Sequence, residues 1–178
     1  MRPLLNGVTL GGRLTEPRVV TLIGSVGEIA ELFSLFHDGV IVEASGEGHD
    51  LELRVRIAYL AERVAPGFTT FVVRIHGVED LAFVTWPNEA SAGPQTLRRI
   101  AEIFVPPLDI LSGDVVAGRI EVVCNQPASS ALHCGGTLAF GAQSADVIDH
   151  NGKHYSVAEL AAIADAYWRD WADRTARR

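Results

Sequence analysis

Residues 40–57 read VIVEASGEGHDLELRVRI, and this stretch decides the fold. Leu51, Leu53, Val55 and Ile57 alternate with Glu52, Arg54 and Arg56. A period of two places the apolar side chains on one face of a strand and the charged ones on the other. Such a strand belongs to a sheet with one face on a core and one in water, which is the habit of antiparallel sheets. Residues 40–44 form the first arm of a hairpin, 45–50 (SGEGHD) its turn and 51–57 the second arm.

The same reading extends in both directions. Upstream, Ser25 and Glu28 have capping-box spacing, and Ile29, Leu32, Phe33 and Phe36 follow at helical intervals. The spacing predicts a helix over 25–37, with Gly39 as its left-handed C-terminal residue. Residues 18–23 are expected as a short strand. Residues 1–17, broken by Gly, Asn and Pro, read as a loose lead-in that could hold a hairpin through Asn6-Gly7.

Downstream, 59–64 suits a helical turn, and 68–76 and 81–86 suit strands joined by a hairpin-length link. A loop from Pro87 to Pro94 leads to a short middle helix over 95–104. Strands are expected at 108–116, 119–124 and 136–142, with a tight turn at Ala117-Gly118 and an irregular loop between Cys124 and Gly136. Residues 145–149 and 154–155 flank an Asn151-Gly152 turn. A last amphipathic helix begins at Ser156, with Glu159 in capping register. Val157, Leu160, Ala161, Ala164, Tyr167, Trp168 and Trp171 lie along its apolar stripe. The result is an α+β chain: antiparallel, hairpin-connected sheet, an N-terminal helix, a short middle helix and an amphipathic C-terminal helix. Residues 18–178 read as one domain without a βαβ rhythm.

The 178 residues carry a net charge of −7 with one lysine, Lys153. A phosphate-binding surface needs clustered Lys and Arg, so nucleic acid and anionic membrane are not expected partners, and a basic protein suits the charge better. No apolar run reaches the ~20 residues of a membrane span, and the N-terminus lacks the core of a signal peptide. The expected compartment is the cytoplasm. Mean hydropathy is +0.18, which permits a self-association patch. A homodimer through sheet edges or the C-terminal stripe is compatible with it.

The candidate chemical groups are few. His37-Asp38 at a helix end could serve as a base or a ligand; the structural alternative is helix termination, with His37 near the negative end of the dipole. Cys134 before Gly135-Gly136 could be a nucleophile whose neighbouring N–H groups bind an oxyanion; the alternative is a loop cysteine before a strand. Cys124 alternates with Val122 and Ile120 and reads as core. Cys124, His133 and Cys134 lack the spacing of a zinc site, and no metal or cofactor is expected. His49-Asp50, Asp149-His150 and His154 read as turn residues.

Arg54, Arg56, Arg74 and His76 fall on wet strand faces opposite Glu43 and Glu52. A small anion site between Arg56 and Arg74 is the functional alternative to cross-strand ion pairing. Trp86, Trp168 and Trp171 read as core or interface anchors. Glu79, Asp80, Trp86 and Glu89 are candidates for an acidic, aromatic epitope. Dinucleotide, phosphate-loop, nucleophile-elbow and zincin motifs do not occur.

Leu32-Phe33-Ser34-Leu35-Phe36-His37-Asp38-Gly39 runs into a charged hairpin. Tyr59-Leu60-Ala61-Glu62 precedes Pro66 and Phe68, Phe83 to Trp86 follow, and Tyr167-Trp168 lie in the terminal helix. These residues resemble a group of small bacterial proteins with a Phe-His-Asp-Gly motif before a β-hairpin, similar in turn to immunity proteins that neutralise polymorphic toxins. The resemblance covers residues 30–90 and the C-terminal helix. It implies a protein-binding module, not an enzyme, and transfers no catalytic residue. The alternative is a small-molecule binder or hydrolase-like enzyme using His37 and Asp38, with Cys134.

Overall fold

The computed structural model describes residues 22–88, 93–126 and 133–177. The lead-in over 1–17, most of the strand expected at 18–23, and Glu89 lie outside the described residues. Ile23 forms an isolated antiparallel bridge to Ala145.

Among the described residues, ten strands form one sheet in which every strand pair is antiparallel. In chain order they are β1 (Val40–Glu47), β2 (Asp50–Arg56), β3 (Thr70–His76), β4 (Glu79–Pro87), β5 (Thr96–Leu97), β6 (Leu108–Val116), β7 (Arg119–Asn125), β8 (His133–Gly141), β9 (Ser144–Ile148) and β10 (His154–Tyr155). Their order across the sheet is β10-β9-β3-β2-β1-β6-β7-β8-β4-β5. The four helices among the described residues are α1 (Val26–Leu35), α2 (Ala58–Val64), α3 (Ile100–Ile103) and α4 (Val157–Ala176). The α+β class with an antiparallel sheet is thus the observed one.

The period-two reading of 51–57 is realised in space. Leu51, Leu53 and Val55 are buried, while Asp50, Arg54 and Arg56 are exposed. Across the ladder, Phe71, Val73 and Ile75 of β3 are fully buried beside them. Helix α1 packs on this apolar face, reaching β6, β7 and β9. Phe36 stacks on Phe71 with ring centroids 5.8 Å apart, and Phe33 meets Phe140 edge-on at 6.1 Å. One helix therefore ties β3 to β8 across the sheet. Each fully buried aliphatic or aromatic side chain stabilises the fold by about 1.5–3 kcal/mol.

Local chemistry sets the element ends. Ser25 Oγ accepts from Glu28 N at 3.2 Å and starts α1. Ser156 and Glu159 form a complete capping box at α4. The α1 exit differs from the sequence expectation. Asp38, with φ of +65°, takes the left-handed position. Gly39 is required for another reason: a Cβ there would lie 2.8 Å from the Phe36 carbonyl oxygen.

Three further boundaries are corrected. The hairpin turn shrinks to Gly48-His49, because Ser45, Gly46 and Glu47 pair with Glu52, Leu51 and Asp50. The short middle helix is present but narrower than 95–104: it is the four-residue α3, and Thr96 and Leu97 before it form β5, which pairs with Val84 and Phe83. The loop assigned between Cys124 and Gly136 ends earlier, since His133, Cys134 and Gly135 already belong to β8. The Ala117-Gly118 turn is present as expected, with both residues at positive φ.

Candidate functional site

Two surface regions collect the chemically capable side chains. The first is the wet face of β1, β2, β3 and β9, where cross-strand register lines up ionisable residues in rows. Glu52 faces Arg74, and Arg74 faces Asp146. Arg74 Nε donates to Glu52 Oε2 at 2.9 Å. One row along, His76 lies between Asp50 and Asp146, with Nδ1 3.2 Å from Asp50 Oδ1 and Nε2 3.3 Å from Asp146 Oδ2. Asp146 is buried, and its other oxygen lies 3.1 Å from His154 Nδ1, out of hydrogen-bond alignment. A cleft of about 400 Å³ opens beside these groups, lined by Glu47, Asp50, Glu52, Arg74 and His76 among others.

Arg74 and His76 are thus brought together, as neighbours on one strand face. Arg56 is not with them. It pairs in register with Thr70, four residues from Arg74 along β3, or roughly 13 Å. Its charge acts on Asp109, whose carboxyl is raised by burial and lowered in part by Arg56. Arg54 lies between, 3.3 Å from Glu43.

Elsewhere, each remaining candidate has its own neighbours. Trp86 stands at the far end of β4 from Glu79 and Asp80, a separation of roughly 20 Å. Cys134 is exposed, and its thiol faces the Trp86 carbonyl at 3.8 Å. Gly135 and Gly136 are explained by packing. A Cβ on Gly136 would meet the Val84 carbonyl oxygen at 2.3 Å and the Phe83 ring, and one on Gly135 would meet the Cys124 carbonyl oxygen at 2.4 Å. Cys124 is a core residue whose thiol is pushed up to about 12 by burial, with Asp109 adding to the rise. Among the described residues, no three of His, Cys, Asp and Glu are arranged to hold a metal.

The second region is a set of five rings where α1, α2 and α4 meet. His37 stacks on Trp168 with centroids 6.0 Å apart and planes 16° from parallel. Tyr59 of α2 contacts Tyr167 at 4.8 Å and Trp168 at 5.6 Å. Trp171 meets Trp168 edge-on at 6.1 Å. The Tyr59 hydroxyl donates to the Leu35 carbonyl, and burial, with Asp38 and Tyr167 nearby, raises it to about 12. Arg63 holds the flank through Asp170 at 2.7 Å and lies over the Tyr167 ring. The side chains of His37 and Asp38 lie 3.8 Å apart, and Asp38 is 71% exposed.

The array is not fully packed away. Trp168 is 38% exposed and Trp171 49%. A shallow cleft of about 510 Å³ runs along Asp165, Trp168, Arg169 and Ala172. The apolar stripe of α4 was legible in the sequence. Its division into a buried half at Val157, Leu160 and Ala164 and an uncovered half at Trp168 and Trp171 was not.

No protein-family model matches the chain, and no solved structure does. Over 85 residues, 47% of the chain, it is 34% identical to a protein of Stenotrophomonas maltophilia (strain R551-3) named ribosomal RNA small subunit methyltransferase H, covering 26% of that protein. Over 133 residues, 74% of the chain, it is 28% identical to a protein of the same name from Xylella fastidiosa (strain M23), covering 42% of its length. The matched parts of the chain therefore span between about a quarter and two fifths of the length of these curated relatives. No described helix is long and apolar enough to cross a membrane.

Proposed function

We propose that this chain is a protein-binding module whose contact surface is the aromatic array at the free half of α4. The observation that carries the reading is the pair of half-exposed tryptophans, Trp168 and Trp171, held by the rings of His37, Tyr59 and Tyr167. Tryptophan, tyrosine and arginine dominate the binding energy of interfaces, and rigid rings lose little entropy on docking. Trp168 and Asp165 line one cleft, so a partner side chain with an apolar stem and a cationic head suits them. The net charge of −7 favours encounter with a basic partner. The resemblance to toxin-neutralising immunity proteins points to the same class of function.

In this reading His37 is a wall of the array and not a catalytic base. The test is capture on immobilised wild-type protein against a Trp168→Ala/Trp171→Ala variant, at low and moderate salt. A stoichiometric partner held by the wild type and weakened at least ~10-fold by the variant is expected. Failure to recover any partner, or equal recovery by the variant, overturns the reading. Sedimentation of both proteins separates a second copy of the chain from a different partner.

The partial matches to proteins named as ribosomal RNA methyltransferases favour a second reading, in which the chain takes part in modifying small-subunit ribosomal RNA. A single lysine and an acidic balance support it less well. Saturable binding of small-subunit ribosomal RNA that weakens steeply with salt, together with methyl transfer to it, would replace the protein-binding reading.

A further inference from the structure

We propose that His76 is a proton-operated latch between the tip of the β1–β2 hairpin and the body of the sheet. Both imidazole nitrogens of His76 face carboxylate oxygens, Asp50 Oδ1 at 3.2 Å and Asp146 Oδ2 at 3.3 Å. A carboxylate only accepts, so each contact needs an N–H on the ring. Neutral imidazole has one N–H and imidazolium has two. The two contacts coexist only when His76 is protonated.

When that proton leaves, the two carboxylates compete unequally for the remaining N–H. The Asp146 side chain is 6% exposed, and a buried carboxylate deprived of its donor is costly. The Asp50 side chain is 69% exposed and is readily hydrated. The remaining proton therefore stays on Nε2, and the contact to Asp50 is released. Asp50 is then left directly opposite Glu47, its partner across the last rung of the hairpin. Like charges facing each other across a ladder destabilise it.

The other charged and titratable groups around His76 leave this logic intact. Glu52 on β2 and Arg74 on β3 pair with each other at 2.9 Å. His154 on β10 approaches the other oxygen of Asp146. On β9, the residue opposite His76 is the uncharged Ser144. In the turn, His49 Nδ1 lies 3.1 Å from the Val78 carbonyl oxygen. The latch is set while His76 carries both ring protons and is released when one of them leaves. It acts at the mouth of the cleft lined by Glu47, Asp50, Glu52 and Arg74.

The test is hydrogen exchange at the hairpin tip, residues 44–52, expressed as protection factors corrected for intrinsic rate, over roughly pH 5 to 8. Wild-type protection is expected to fall roughly two- to fivefold as pH rises. The Asp50→Asn variant, which removes the like-charge pair, is expected to be flat, and His49→Gln to behave as wild type. Imidazole ¹⁵N shifts at the alkaline end are expected to show His76 as the Nε2–H tautomer. Flat wild-type protection, a pH response that survives in Asp50→Asn or vanishes in His49→Gln, or an Nδ1–H tautomer overturns the proposal.

Discussion

Ser34 and Gly113 clamp helix α1 to strand β6 through a reciprocal pair of hydrogen bonds. Ser34 Oγ donates to the Gly113 carbonyl at 2.6 Å and accepts from the Gly113 N–H at 3.2 Å. A Cβ at position 113 would lie 2.4 Å from the Ala30 carbonyl oxygen and 2.7 Å from Phe33 Cβ. Backbone cannot yield as the end of a flexible side chain can. Gly113→Ala is expected to destabilise the fold by about 1–3 kcal/mol, and Ser34→Ala by about 1 kcal/mol. Urea denaturation checks both. A Gly113→Ala midpoint equal to wild type would show that helix and strand are less closely packed than described.

Ala117 offers the opposite change. It has φ of +51° in the two-residue turn between β6 and β7 and is exposed. L-residues other than Asn and Asp are strained there. Ala117→Asn and Ala117→Gly are expected to stabilise by about 0.5–1 kcal/mol, and Ala117→Val to destabilise. Thermal melts of the three variants give the ranking.

Asp149 governs part of the acid limb of stability. Burial alone would raise its carboxyl. The N–H groups of Lys153 and Asn151, the Tyr155 hydroxyl and the nearby His150 outweigh that, so it sits below the usual carboxylate range. A depressed folded-state value means stability that is present above the unfolded value and is lost as pH falls through the folded one. Glu159 shifts the same way, chiefly through the Ser156 N–H. Asp149→Asn is expected to be less stable than wild type at neutral pH, with the difference shrinking towards acid. Denaturation midpoints across the acid range check this, and a constant difference would contradict it.

The alkaline limb has the opposite sign. Burial raises Tyr155 from 10.0 to about 12, helped by its bond to Asp149. Tyr59 is likewise raised to about 12, first by burial. Their contribution is complete below 10 and is lost as pH climbs towards 12. Tyr155→Phe is expected to flatten the decline above pH ~10. Phenolate absorbance followed during unfolding reads the shift directly.

Trp171 is half exposed at the end of the ring array, so Trp171→Ala is expected to cost less than ~1.5 kcal/mol in stability. Phe33→Ala, fully buried under the sheet, is expected to cost about 3–5 kcal/mol. A Trp171→Ala loss as large as that at Phe33 would make the tryptophan a core residue and remove the reason to see it as a docking group.

Much of this architecture can be read from local pattern, because burial on one face imposes a period that side chains must obey. Residues 51–57, the Ser25 N-cap and the capping box at Ser156 are of this kind. Where expectation and structure part, a distant contact decides. Residues 95–104 have helical propensity, yet Thr96 and Leu97 pair with Val84 and Phe83 and become an edge strand. The paired glycines before Thr137 suggested oxyanion chemistry, but close approach by Val84, Phe83 and Cys124 explains them.

The same limit applies to the surface sites. Arg74 and His76 were visible as wet-face residues. Asp146, which closes the His76 cluster, arrives from 70 residues away through β3–β9 pairing and gives no local signal. The ring array joins the ends of two helices to the middle of a third. The sequence shows its aromatic residues but not their meeting.

The pairing of β3 with β9 also bears on synthesis. Residues 70–76 emerge from the ribosome long before 144–148, their neighbours on one side. At roughly 5–20 residues per second, the outer edge of β3 stays bare for several seconds. During that interval it is open to foreign strands. Nascent chains that expose β3 but not yet β9 should therefore be the species most dependent on chaperone capture.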